Sequence, residues 1–296
     1  MNKAPGDAET DVPGADPAIL FDGVGKTFSP AGDGAPVSAV ESISFSVQPA
    51  TFMALLGPSG CGKTTILRMA DGLIPCDTGR VEVFGAPPKP GPDIGFVFQN
   101  FRLIPWATIQ QNVEFGLKSM ALSPAERKEI ASHHLELVGL SKFRSAYPRE
   151  LSGGMKQRTA LARALATEPG ILLMDEPFAS IDAQTRELMQ IELMRIWTLR
   201  RPVVLFVTHS VDEAILLADR ILLLGPRPGR VVEIVNVELE RPRWTYDARA
   251  EPRFVELRSY LAGRMRELVL SDPNTEFFGR DVVSSGGLGQ PSGGIK

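Results

Sequence analysis

Nine consecutive residues constrain this chain more than any others: Gly57-Pro58-Ser59-Gly60-Cys61-Gly62-Lys63-Thr64-Thr65. The glycines let successive backbone N–H groups turn toward one point and cradle phosphate oxygens. Lys63 offers a point charge to the terminal phosphates of a nucleotide, and the Thr64 hydroxyl can ligate Mg²⁺. The apolar run Met53-Ala54-Leu55-Leu56 before the loop reads as a buried strand. The stretch Thr65-Ile66-Leu67-Arg68-Met69 after it reads as a helix whose positive end faces the same phosphates. A strand, a glycine-rich loop and a helix in that order point to an α/β chain that handles a nucleoside triphosphate. They leave open what the nucleotide is used for.

Composition narrows the field by exclusion. The formal net charge of −3 over 296 residues gives no footprint for nucleic acid. Two cysteines, Cys61 and Cys76, make no disulfide framework, which fits a reduced compartment. No apolar run approaches the roughly 20 residues of a membrane-spanning helix. Residues 1–17 are rich in Pro, Gly, Ala and Asp and lack the basic-then-apolar order of a secretory signal, so a disordered leader is expected there. A Gly/Ser-rich flexible tail is expected at 284–296.

Between these ends, short apolar runs alternate with helical segments. Ile94–Phe98, Ile171–Met174, Val203–Val207 and Ile221–Leu224 are continuously apolar, as suits strands of a parallel sheet covered on both faces. From about Thr108 to Glu150 the strands stop. Thr108 with Gln111, and Ser123-Pro124-Ala125-Glu126, read as capped helix starts in a helical insertion. His133 and His134 fall in this insertion without chemical context and are expected at the surface. Phe254, Leu257, Leu261, Met265 and Leu268 recur at helical spacing and predict a terminal helix docked by one apolar stripe.

Two further segments carry chemistry. Ile171-Leu172-Leu173-Met174-Asp175-Glu176 is an apolar strand ending in two acids. Asp175 could reach Mg²⁺ directly or through water, and Glu176 could polarise an attacking water as a general base. The pair could instead simply mark a strand's exit into solvent. Leu151-Ser152-Gly153-Gly154-Met155-Lys156-Gln157 opens a helical stretch and is a second anion-binding helix start in one chain. By itself Ser-Gly-Gly is as good a flexible turn as a site.

Taken in order, these segments resemble the ATP-binding cassette family of transporter ATPases, over about residues 18–240. The series runs from the loop at 57–65, through Gln99 and the Leu151–Gln157 signature, to Asp175-Glu176, Asp182 and His209. The resemblance implies a nucleotide-triphosphatase core with a mostly parallel sheet flanked by helices. It also implies an N-terminal antiparallel β portion and a helical subdomain inserted at about 100–165, with a helical extension at 241–283. ATP and Mg²⁺ are the implied cofactors.

Roles carry over by position. Phe28 matches the aromatic that stacks on adenine, although it could instead be a strand's core aromatic. Gln99 matches the residue that contacts Mg²⁺ and senses the membrane partner, and His209 the one that contacts the γ-phosphate. Ser152, Gly153, Gly154, Gln157 and Asp182 match the signature and the loop that act at the dimer. In this family the signature meets the nucleotide held by a second subunit, so the implied unit is two copies around two ATP molecules. Ser180-Ile181 and Ser210 depart slightly from the family's usual residues. Ser210 with Glu213 can still cap the next helix.

The Pro105-Trp106 pair shortly after Gln99, and Arg241-Pro242-Arg243 before the last helix, look like the nitrate/sulfonate/taurine import branch. That branch implies the energy subunit of a bacterial importer, peripheral on the cytoplasmic face of the membrane. It would drive separate permease subunits fed indirectly by a solute-binding protein. An exporter or lipid-handling cassette is the alternative, and a cassette with no transport role a more distant one. Trp106 is either a core residue of the helical insertion or part of the permease-docking groove.

Overall fold

The computed structural model describes residues 16–29, 35–273 and 275–279. The flexible tail expected at 284–296 and all but two residues of the leader expected at 1–17 lie outside the described residues. Strands occur at β1 (Ile19–Phe28), β2 (Val37–Val47), β3 (Phe52–Leu56), β4 (Thr78–Val83) and β5 (Ile94–Val97). They resume at β6 (Ile171–Asp175), β7 (Val203–Val207), β8 (Arg220–Leu224) and β9 (Val231–Asn236). Helices are α1 (Lys63–Ala70), α2 (Ile109–Gly116), α3 (Pro124–Leu137) and α4 (Gly153–Leu165). After β6 come α5 (Ala183–Arg200), α6 (Val211–Leu217) and α7 (Pro252–Leu270).

The strands form two sheets. The larger has the order β5-β6-β7-β3-β8-β9, parallel throughout except for β9 on its edge. The smaller is antiparallel, in the order β2-β1-β4. All five residues of β3, β6 and β7 are buried, because both faces of the central sheet are covered. The period-2 alternation of a strand then divides each apolar run between two cores. Phe52, Ala54, Leu172, Met174, Val204 and Phe206 enter one core with the helical block. Met53, Leu55, Ile171, Leu173, Val203 and Leu205 enter the other with α1 and the antiparallel sheet.

The helical block α2–α4 interrupts the sheet between β5 and β6, as its caps predict. Thr108 Oγ1 accepts from Gln111 N at 3.2 Å while Gln111 Oε1 accepts from Thr108 N at 2.9 Å. Ser123 and Glu126 make the same reciprocal pair, with Pro124 at the first helical position. One expectation fails here. His134 is buried, not superficial, and its Nδ1 lies 2.9 Å from Ile130 O. Burial holds its pKa below the usual histidine value. The ring lines a cavity with Leu165, Glu168 and Arg200, and nothing in a single helical repeat marks which of two adjacent histidines turns inward. Its neighbour His133 is exposed.

The terminal helix docks through the expected stripe. Phe254, Leu257 and Leu261 are buried, and Met265 and Leu268 pack against the same core. The approach to it is latched by two arginines. Arg241 binds Asp219 Oδ1 and Leu217 O, and lies over the Trp197 ring. Arg243 is buried and donates to the carbonyls of Ile215, Leu216 and Ala218, where α6 ends. A cation at a helix C-terminus meets both orphan carbonyls and the negative end of the dipole. Burial lowers the Arg243 pKa to about 10.

Candidate functional site

The carboxyl ends of the parallel strands converge on one cleft, the place where open α/β sheets bind ligands. Its volume is about 410 Å³, and its lining draws on β1, the loop after β3, and the segments after β5, β6, β7 and β8. The loop after β3 is built by its glycines. Gly60 and Gly62 have φ of +78° and +92°, conformations that a side chain resists. A Cβ on Gly62 would lie 2.4 Å from Val40 Cγ1, so the antiparallel sheet leaves no room for one. Gly62 therefore caps α1 in the left-handed conformation with no side-chain hydrogen bond, which leaves the first helical N–H groups for a ligand.

Lys63 is buried, and its Nζ donates to the carbonyls of Gly57 and Pro58, both at 2.8 Å. The loop thus holds its own lysine in place. Cys61 is buried beneath the same loop, and its thiol pKa is raised by that burial. It contributes shape rather than nucleophilic character. Cys61 and Cys76 are both free.

The acids stand opposite. Thr64 Oγ1 donates to the Asp175 carboxylate at 2.9 and 3.1 Å. Burial raises the Asp175 pKa above the ordinary carboxylate value, opposed by that hydrogen bond. Glu176 adopts φ of +50°, and its carboxylate is gripped from two sides. Gln99 Nε2 donates to Oε2 at 3.3 Å, and His209 Nε2 lies 2.6 Å from Oε1. The residues after β5, β6 and β7 therefore meet around one carboxylate.

Phe28, Ser59, Gly60, Gly62, Lys63, Thr64, Thr65, Gln99, Glu176 and His209 all line the cleft. Phe28 is 42% exposed, so its core alternative is excluded. Gly57, Pro58 and Cys61 form the underside of the loop, and Asp175 joins through Thr64. Ser152, Gly153, Gly154, Gln157 and Asp182 do not line it. Ser152 caps α4, its Oγ accepting from Met155 N at 3.3 Å, with Ser152 and Gly153 exposed. Gln157 is buried, and its Nε2 has no hydrogen-bond partner among the described residues. Asp182 caps α5 by accepting from Thr185 N at 3.0 Å, a bond that lowers its pKa.

Two contributions went unforeseen. Arg227 lines the cleft from the turn after β8. Arg163 on α4 donates to the carbonyls of Arg102 and Phe101 at 2.7 and 3.0 Å. It ties the signature helix to the segment following Gln99. Among the described residues no group of three or more His, Cys, Asp or Glu is placed to hold a metal. Mg²⁺ does not require one: a hydroxyl, a carboxylate, phosphate oxygens and water suit it, and Thr64 with Asp175 would supply the protein's share.

A glycine-rich loop capping α1, with acids at the end of β6, one strand removed from β3 in the sheet, defines a nucleotide-triphosphate-binding α/β protein. The comparisons carry this further. The ABC transporter family matches residues 40–179. A nitrate import ATP-binding protein of Synechococcus elongatus is 43% identical over 246 residues, 81% of this chain and 89% of that protein. A taurine import ATP-binding protein of Rhizobium johnstonii is 46% identical over 76% of this chain and 88% of its own length. A bicarbonate transport ATP-binding protein of Synechococcus elongatus is 38% identical over 84% and 90%. Among solved structures, a dimeric post-hydrolysis ATP-binding cassette bound to ADP and Pi superposes with a TM-score of 0.68 at 30% identity. It covers 75% of this chain and 100% of its own. The chain belongs to the ABC transporter family of ATP-binding proteins. It is a transport-coupled ATPase with the cassette fold.

Proposed function

We propose that this chain energises an importer for a small anionic or sulfonate solute, with two copies closing on two ATP molecules to drive a separate permease. The observation that carries the reading is the convergence of Lys63, Thr64, Gln99, Glu176 and His209 on one cleft, with Gln99 and His209 on the Glu176 carboxylate and Asp175 joined through Thr64. Phe28 would stack on the base, and the 57–65 loop would hold the phosphates. Mg²⁺, bound through Thr64 and Asp175 with Gln99 near, would neutralise charge on the terminal phosphates. Glu176 would take a proton from the attacking water, and His209 would orient the γ-phosphate. Ser152, Gly153, Gly154, Gln157 and Asp182 would serve the partner copy's nucleotide.

Permease contact is assigned to the groove beside Gln99. It has a volume of about 340 Å³ and is lined by Phe96, Phe98, Arg102, Phe115 and Arg163 among others. Trp106 stands nearby in sequence and is 81% exposed, which excludes its core alternative. No helix among the described residues is long and apolar enough to cross a membrane. The subunit would sit peripherally on the cytoplasmic face, against its permease. Support for the solute class comes from the relatives named for nitrate, taurine and bicarbonate. A deletion strain grown on nitrate, taurine or an alkanesulfonate as sole nitrogen or sulfur source should fail on one of them. Normal growth on all would remove this solute assignment.

A further inference from the structure

Four of the five parallel strands deliver a named group to the cleft: β3 the phosphate loop, β5 Gln99, β6 Asp175 and Glu176, β7 His209. The fifth, β8, ends at Leu224 and runs into Gly225-Pro226-Arg227-Pro228-Gly229. This turn is anchored on both sides. Gly229 N donates to Ala39 O at 2.9 Å, and Glu41 N donates to Gly229 O at 2.9 Å. A Cβ on Gly229 would fall 2.0 Å from Cys61 O, so the turn lies directly against the phosphate loop with no room for a side chain there.

The anchored turn carries the Arg227 guanidinium over Gly60. Its Nε lies 3.4 Å from Gly60 O, and a Cβ on Gly60 would sit 3.1 Å from its Nη2. Arg227 is exposed to the cleft, yet it makes no ion pair among the described residues. Nearby Arg230 is paired with Glu41 at 2.8 Å. An unpaired guanidinium held over Gly60, in the cleft that Ser59 and Lys63 also line, adds positive potential at the phosphate loop. Its planar fork matches phosphate oxygens.

We propose that Arg227 binds the phosphate chain of the nucleotide, as the contribution of β8 to the site. The inference rests on the nucleotide reading of the cleft. The test is titration of the full-length protein and its Arg227→Ala, Arg227→Lys and Arg227→Glu variants with ATP and with inorganic triphosphate, which lacks base and sugar. Arg227→Ala should weaken both ligands about tenfold. Arg227→Lys should recover most of that, Arg227→Glu should lose more, and the gap from wild type should narrow in high salt. Thermal midpoints should stay together, because Arg227 is exposed. Affinities within about twofold of wild type in both the Ala and Glu variants would overturn the proposal. So would a loss for ATP that triphosphate does not share. A wild-type protein that binds no ATP would instead fail the nucleotide reading itself.

Discussion

The starts of α1 and α4 are both glycine-rich and both fit to receive an anion, yet they are built in opposite ways. Before α1, Gly62 caps the helix with no side chain, Lys63 is buried on the loop's own carbonyls, and acids close the far wall. Before α4, Ser152 makes an ordinary hydroxyl cap and lies exposed with Gly153, outside the cleft. One start is enclosed by its own chain, and the other faces away from it. The difference is what the proposed function requires: the cleft would be half of a site, and the exposed start would serve a nucleotide held by a second copy.

The largest expected effect separates chemistry from phosphate grip on the enclosed side. Glu176→Gln keeps the shape of the side chain but removes the proton acceptor. We expect steady-state phosphate release to fall at least about 100-fold while ATP still binds. Near-normal turnover would take the general-base role from Glu176.

A smaller effect probes what the exposed start is connected to. Arg163 links α4 to the segment that leads to Trp106. Trp106→Ala should leave the ATPase of the free subunit largely intact and reduce co-purification with its permease several-fold. Wild-type yield would place permease contact elsewhere.

The smallest effect lies at the far end of α1. Asp71 is buried at the C-cap, and burial raises its pKa from 3.8 to about 7. The folded state therefore holds this proton more tightly than the unfolded chain does. The stability contributed by Asp71 is fully present below about pH 4 and is lost as pH rises through about 7. Asp71→Asn should raise the thermal midpoint by a few degrees at about pH 8 and change it little at about pH 4. An equal shift at both would show that the carboxylate is not the cause.

What the chain discloses in advance is what short-range chemistry decides. The loop at 57–65, the capping pairs at Thr108 and Ser123, and the apolar strands need only neighbours in sequence to be recognised. What stays hidden depends on distant contacts. Arg227 reaches the cleft because Gly229 packs on Cys61 O, which no local pattern announces. Phe28 and Trp106 each carry a core alternative that only their exposure removes. Ser210 caps α6 as expected, accepting from Glu213 N at 3.2 Å. The Glu213 carboxylate, however, accepts from Thr208 Oγ1 at 2.6 Å and Gln190 Nε2 at 3.2 Å instead of returning the bond.

The half-site account is tested most directly by the mass in solution of the Glu176→Gln protein, by light scattering, with and without ATP and Mg²⁺. The account predicts a monomer that becomes a dimer when ATP is added. It also predicts that adding Gly153→Asp, at an exposed helix start where an acidic residue suits the dipole, leaves ATP affinity unchanged but keeps the protein monomeric. A dimer that forms equally well with Asp at position 153, or an ATP affinity that falls with it in the monomer, would contradict the account.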